Sequence, residues 1–222
     1  MDALGVLLAS DELSAAARPT LQRLAERMTR RQLPRYTRLY HEGDPAGPAY
    51  LVESGSIWLT SSRPDGSTHF VADVGPGGLV GDHTALTGRD RTVTATAATE
   101  SVVWSIPRQA LIEAVSGDAR LAMRLLEAAI ELVIEKDIEA AVRAGSTTIE
   151  RLAALLLELS ERMTAAKDGY IPLSHAELAL MAGTTRESVS RNLAILKDRG
   201  AIGTSRRGVS VLRRDLLEDL AG

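Results

Sequence analysis

The chain has 222 residues, 45% of them hydrophobic and 25% charged, with a formal net charge of −3. That is the composition of one large or two modest folded domains rather than a disordered chain, and any nucleic-acid partner must be met by a local basic patch. The absence of cysteine excludes disulfides, thiolate zinc sites, cysteine-held iron–sulfur clusters and cysteine nucleophiles within the chain.

The opening MDALGVLLAS carries an apolar run with no preceding Lys or Arg, so it does not read as a secretory signal. No stretch reaches the ~18 uninterrupted apolar residues of a membrane helix. A cytoplasmic protein without a membrane partner is therefore expected. Aromatic residues make up only 3%, which leaves few platforms for stacking the bases of single-stranded nucleic acid.

Ser10 to Met28 reads as helical. From about Gln32 to Pro107 the pattern changes to short β-rich runs separated by glycine-bearing turns. AYLVESGSIWLTSS reads as two strands around Glu53–Gly55, RPDG at Arg63–Gly66 as a turn, STHFVADV as a strand and GPGG as a break. RTVTATAATESVVWSI reads as two further strands. Many short strands at regular spacing predict a sandwich, barrel or roll.

After Gly117 the period switches. No glycine or proline interrupts DARLAMRLLEAAIELVIEKDIEAAVRA, and Leu126, Ile130, Val133, Ile134, Ile138 and Ala141 recur at spacings of three and four. This predicts a long amphipathic helix with an apolar stripe suited to a two-stranded contact between copies of the chain. AGS at Ala144–Ser146 is a hinge candidate. A helix over TTIERLAALLLELSERMTA, a loop over KDGYIPL and two helices around Gly183 follow.

Those two helices carry the functional signal. Ser174 and Glu177 form a capping-box pattern, Thr184 and Glu187 offer a second, and Gly183 between them permits a sharp change of direction. Ala179, Val189, Leu193 and Leu196 are placed to pack the inside corner. This is a helix-turn-helix. Arg186 and Ser190 lie four apart, as do Glu187 and Arg191, so all four project from one side of the second helix near its start. In this motif those turns enter the major groove, where arginine bonds guanine O6 and N7 and glutamate accepts from cytosine N4. The plainer reading of Glu187 and Arg191 is a surface i,i+4 ion pair worth about 0.2–0.5 kcal/mol. Downstream, GAIGTSRRGVSVLRR reads as the two-stranded wing of a winged helix. Thr184, Thr185, Ser205, Arg206 and Arg207 are candidates for the DNA backbone. Arg213 and Arg214 suit either the phosphates or the end of the domain.

The order of parts and their residues resemble the cAMP receptor protein/FNR (CRP/FNR) family of bacterial transcription regulators over nearly the whole chain. LYHEGDPAGPAYLVESGSIWLT is similar to the family's opening β-roll segment. GPGGLVGDHTAL followed by RDRTVTATA is similar to its phosphate-binding cassette, and TTRESVSRNLAILKDRGAI to its recognition helix. The resemblance implies an α+β chain of three parts: an amino-terminal cyclic-nucleotide-binding-like β-roll over 1–117, a dimerisation helix and hinge over 118–145, and a winged helix-turn-helix over 146–222. It further implies a homodimer reading a palindromic, GTG-containing half-site in double-stranded DNA and contacting RNA polymerase, with AAKDGY as a candidate contact loop.

For the sensor, the resemblance implies that Gly81 and Asp82 stand where cAMP-binding members meet the ribose, and Arg91 and Thr92 where they hold the cyclic phosphate. Lys136 and Asp137 occupy the positions that offer Thr-Ser to the adenine. The implied effector is a cyclic nucleotide such as cAMP, with an effector-independent member of vacant pocket as the alternative. His83 falls near the haem-binding histidine of the carbon-monoxide-sensing branch, but that branch's amino-terminal proline ligand has no counterpart here, so haem is not expected. His41, His69 and His175 form no ligand spacing. A cupin-type metal enzyme would require such a cluster, so neither a metal site nor an enzyme activity is expected.

Overall fold

The computed structural model describes residues 1–63, 66–163 and 170–221, with side chains described for all of these except 135, 137–145, 162 and 163. The chain forms two compact units, Met1–Glu135 and Lys136–Gly222.

The first unit opens with α1 (Ala3–Leu8), a 3-10 turn (Leu13–Ala15) and α2 (Arg18–Ala25). Eleven elements follow, from β1 (Thr29–Leu33), β2 (Arg38–Tyr40), β3 (Ala49–Ser54), β4 (Ile57–Ser62) and β5 (Thr68–Val74) to β6 (Leu79–Val80), α3 (Asp82–Thr87), β7 (Thr94–Ala97), β8 (Ser101–Ile106), α4 (Arg108–Gly117) and α5 (Ala119–Gly145), whose residues from Lys136 onward belong to the second unit. The strands make two antiparallel four-stranded sheets of order β1-β8-β3-β6 and β2-β7-β4-β5. β4 pairs with both β5 and β7, and β3 with both β6 and β8.

Alternation along the strands explains how the roll is covered on two sides. Tyr50 and Val52 of β3 and Val103 of β8 point between the sheets, where they meet Leu33, Tyr40, Ile57, Val80, Ala95 and Ala97. Their neighbours Ala49, Leu51, Trp104 and Ile106 point the other way and are buried by Leu7, Leu21, Leu24, Ala110 and Leu111 of α1, α2 and α4. The first sheet is thus apolar on both faces. This is why AYLV reads as a continuous run rather than an alternation. Asp118 starts the long helix: its carboxylate accepts from the backbone of Arg120 and Leu121, and also from Ala17 N at 2.7 Å, which ties the amino-terminal helices to α5.

The second unit contains α6 (Thr148–Met163), β9 (Tyr170–Ile171), α7 (His175–Ala182), α8 (Arg186–Asp198), β10 (Ile202–Ser205), β11 (Gly208–Val211) and α9 (Arg214–Ala221). Leu152, Ala153 and Leu156 of α6 are fully buried, and α6 packs on α7, α8 and α9. β9 adds to β11 as the third strand of a β10-β11-β9 sheet.

Several elements go beyond the sequence expectation. The amino-terminal helical region begins earlier and is broken in two. α3 and α4 interrupt and follow the strands, β9 lies within the expected KDGYIPL loop, and α9 closes the chain. α3 has six residues between Gly81 and Gly88, both left-handed, too short to display a helical period. The AAKDGY contact candidate falls almost wholly outside the described residues, as does the tip of the RPDG turn. Among the described residues no helix is long and apolar enough to cross a membrane.

Candidate functional site

The helix-turn-helix is built by local rules. The Ser174 hydroxyl accepts from Glu177 N at 3.2 Å, and the Glu177 carboxylate accepts from Ser174 N at 2.7 Å, closing the capping box at the start of α7. Gly183 ends that helix at φ 63°, ψ 43°, a conformation open to glycine at little cost. The start of α8 differs from expectation. Thr185, not Thr184, is its N-cap, and its hydroxyl accepts from Ser188 N at 3.2 Å. Glu187 is therefore the second residue of the helix, not the third, and its carboxylate takes no part in capping.

Ala179, Val189, Leu193 and Leu196 are all buried, forming the inside corner. With that face fixed inward, Arg186, Glu187 and Arg191 are exposed on the other side of the first turns of α8. None of the three has an ion-pair or side-chain hydrogen-bond partner among the described residues. The surface ion pair between Glu187 and Arg191 does not form.

Ser190 is different. It is half-buried, and its hydroxyl lies 2.8 Å from Nδ1 of His175, the first residue of α7. No sequence periodicity links two residues fifteen apart across a turn, so His175 carried no signal. Arg151 of α6 is a second such residue. It donates to Ser146 O at 2.7 Å, just beyond α5, and to Ala182 O at 3.4 Å, beside the Gly183 turn.

Thr184 is half-buried and Thr185 exposed; Thr204, Ser205, Arg206 and Arg207 are exposed at the tip of the β10–β11 hairpin. Ser205 Oγ accepts from Arg207 N at 3.0 Å and tightens that tip. Arg213 and Arg214 are committed elsewhere, Arg213 to Asp215 at 2.6 Å and Arg214 to Glu161 and Glu218. From Ser174 to Leu212 six Lys and Arg stand against three Asp and Glu, a basic surface within an acidic chain.

In the first unit the expected effector residues separate. Arg91 is 3% exposed. Its guanidinium donates to Gly81 O at 2.7 Å, Thr84 Oγ1 at 2.6 Å and Pro48 O at 2.6 Å, and it stacks over Tyr40. It has no carboxylate partner among the described residues, and its Nε finds no acceptor. Gly81 is required beside it: a Cβ there would collide with Arg91 Nη1 and lie 3.2 Å from Tyr40. The Asp82 carboxylate is largely buried, 3.8 Å from Nε2 of the exposed His83. Thr92 is exposed. Thr84, which sequence reasoning passed over, is the hydroxyl that Arg91 engages. A buried cation with an orphan donor and no counter-charge is the environment an anionic oxygen satisfies. Burial pushes the Tyr40 hydroxyl up to about 12, against the opposing pull of Arg91.

On α5, Leu126, Ile130, Val133 and Ile134 are each more than half exposed, as is Met123 one turn earlier. Positions 123, 126, 130 and 133 alternate three and four apart, a heptad seam left exposed among the described residues. Ile138 and Ala141, expected to continue it, lie outside the residues described at side-chain level. Among the described residues no group of three or more His, Asp or Glu is arranged to hold a metal.

Two family descriptions match the chain: a cyclic nucleotide-binding domain over residues 30–118 and a Crp-like helix-turn-helix domain over 150–220. The chain is 33% identical over 191 residues to the transcriptional regulator LdrP of Thermus thermophilus, covering 83% of this chain and 92% of that one. It is 29% identical over 195 residues to the cyclic AMP receptor protein of the same organism, covering 86% and 88%. A solved transcriptional regulator of the CRP family from Thermus thermophilus superposes with a TM-score of 0.73 at 31% identity, over 86% of this chain and 96% of its own. These relatives are transcription regulators, not enzymes, and with both domain descriptions matched this chain belongs to the CRP/FNR family of transcription regulators.

Proposed function

We propose that the protein is a homodimer that reads a palindromic, GTG-containing site in the major groove of double-stranded DNA and acts on transcription through RNA polymerase. The observation that carries this reading is the exposed set Arg186, Glu187 and Arg191, which the chain holds on the first turns of α8 and leaves without partners among the described residues. A surface helix optimised only for stability would pair Glu187 with Arg191. Groups that read bases must instead keep their donors and acceptors free. The heptad seam of α5 supports a two-fold dimer, and a two-fold dimer pairs with an inverted repeat.

In the first unit, Arg91 supports an anionic effector in the β-roll. Its orphan Nε suits a phosphate oxygen, and Asp82 suits a hydroxyl donor such as that of a ribose. The domain match makes a cyclic nucleotide the class to try first.

The test is a gel-shift competition between a palindrome carrying GTG half-sites and the same palindrome with GTG replaced. The altered site is expected to bind at least about tenfold more weakly, one good base contact's worth. Equal binding overturns the reading.

A further inference from the structure

Among the base-reading candidates, Ser190 is the one the protein itself engages. Its Oγ lies 2.8 Å from His175 Nδ1, while His175 Nε2 has no partner among the described residues. The roles within this pair depend on which ring nitrogen carries the proton, and that is decided by what the second nitrogen meets. In a helix-turn-helix the helix that precedes the recognition helix crosses the sugar–phosphate backbone. His175 is the first residue of that helix, and its ring is half-exposed.

We propose that His175 and Ser190 form a phosphate-to-base relay that makes Ser190 an acceptor-only reader of the major groove. On DNA, His175 Nε2–H donates to a backbone phosphate oxygen. Nδ1 is then the lone-pair nitrogen, and it accepts the Ser190 O–H. A free serine hydroxyl rotates to donate or accept, and so reads any base edge. With its proton committed to His175, the Ser190 oxygen has only lone pairs to offer. It therefore selects the amino bases, adenine through N6 or cytosine through N4, over guanine and thymine, whose O6 and O4 are acceptors. His175 is a positioning residue: it sets base preference without touching a base. The relay rests on the DNA-reading assignment above and names the base class that one of its positions takes.

The experiment is selection of bound sites from a fully randomised palindromic library, combined with phosphate ethylation interference on the selected site. Wild type, Ser190→Ala, His175→Ala and His175→Gln are compared, with folding checked by circular dichroism. Wild type is expected to prefer A or C over G or T at one base pair of each half-site, and Ser190→Ala to flatten that pair alone. His175→Ala should flatten the same pair and weaken all sequences by at least about tenfold, the scale of one hydrogen bond to an ionised phosphate. It should also erase interference at one phosphate. His175→Gln keeps a donor near the Nε2 position but has no acceptor at the Nδ1 position to hold the Ser190 proton, so it should retain the phosphate and lose the preference, which keeps the test open if the Ala variant misfolds. A keto preference in wild type, or an unchanged preference in both His175 variants, overturns the relay while leaving DNA reading intact. Wild type that selects no sequence overturns both.

Discussion

The guanidinium carbon of Arg91 lies 4.1 Å from the centre of the Tyr40 ring, and both side chains are buried. Tyr40 in turn stacks on Tyr50, with centroids 6.2 Å apart, and Arg31 lies over the far ring at 5.9 Å. Tyr40 and Tyr50 belong to the core between the two sheets, and the Tyr40 ring backs Arg91 while the Gly81, Thr84 and Pro48 oxygens occupy three of its donors. What remains directed elsewhere includes Nε. An ammonium cannot reproduce this: lysine brings three donors from a point and no planar fork to stack. Arg91→Lys is therefore expected to weaken binding of a cyclic nucleotide monophosphate by at least about tenfold, the scale of one charge-assisted contact. It should also lower the unfolding free energy by about 1–3 kcal/mol through unsatisfied carbonyls. Calorimetric titration and thermal melts measure the two effects separately. Unchanged affinity would show that Arg91 is purely structural.

Glu53 anchors the opposite side of the first sheet. Its carboxylate accepts from Arg30 Nε at 2.9 Å and Nη2 at 3.0 Å, and from Trp104 Nε1 at 2.7 Å. The Arg30 guanidinium, helped by Trp104, holds the carboxyl down at about 2. Because the folded value lies below the usual one, the stabilisation is complete above the ordinary glutamate range near ~4.3 and is lost as pH falls from there through about 2. Glu53→Gln should thus melt below wild type at neutral pH, with the gap closing as the solution is acidified across that window. Melting curves on both proteins between pH 7 and the acid limit would show it. A gap that stays constant on acidification would mean the charge on Glu53 contributes nothing.

The apolar seam of α5 makes a prediction about assembly. Val133 is 61% exposed in the single chain, so a charge there costs the protomer little. Buried in a seam between two copies, the same charge is unpaired and expensive. Val133→Glu is expected to leave the protomer's melting curve unchanged and to convert the dimer to monomer in sedimentation experiments. Losing the second half-site contact should weaken binding to a palindrome by about 100-fold or more. A variant that still sediments as a dimer would place the interface elsewhere.

What could be read from the sequence, and what could not, divides along the distance over which each contact is made. The Ser174–Glu177 capping box, the Gly183 turn and the inward set Ala179, Val189, Leu193 and Leu196 are local, so residue chemistry and spacing specified them. The start of α8 slipped by one residue because Thr184 and Thr185 are adjacent and chemically equivalent as caps. The structure favours Thr185, and that choice frees Glu187. The contacts of Arg91 run to Pro48, 43 positions away, and those of Glu53 to Trp104, 51 positions away. Such pairs follow from strand order, which periodicity does not encode. The same holds for β9, two residues recruited to the wing sheet, and the pairing of His175 with Ser190 follows from the packing of α7 on α8, which periodicity does not encode either.

The two classes of arginine on the second unit should separate in one set of binding curves. Arg191 is exposed on the recognition helix, and Arg206 is exposed at the wing tip, where it has no ion-pair partner among the described residues. A guanidinium bonded to guanine discriminates bases, whereas one bonded to a phosphate releases counterions and discriminates nothing. Arg191→Ala is expected to cost about 1–3 kcal/mol on the preferred site and little on a site altered at the contacted pair, so that preference there collapses. Arg206→Ala should weaken both sites alike and reduce the slope of log affinity against log salt by about 0.9, one phosphate's share. Titrations of both variants against both sites at several salt concentrations distinguish the roles. If Arg206→Ala changed site preference and Arg191→Ala changed only the salt slope, the wing would be the reader and α8 the clamp, the reverse of the assignment made from the orientation of α8.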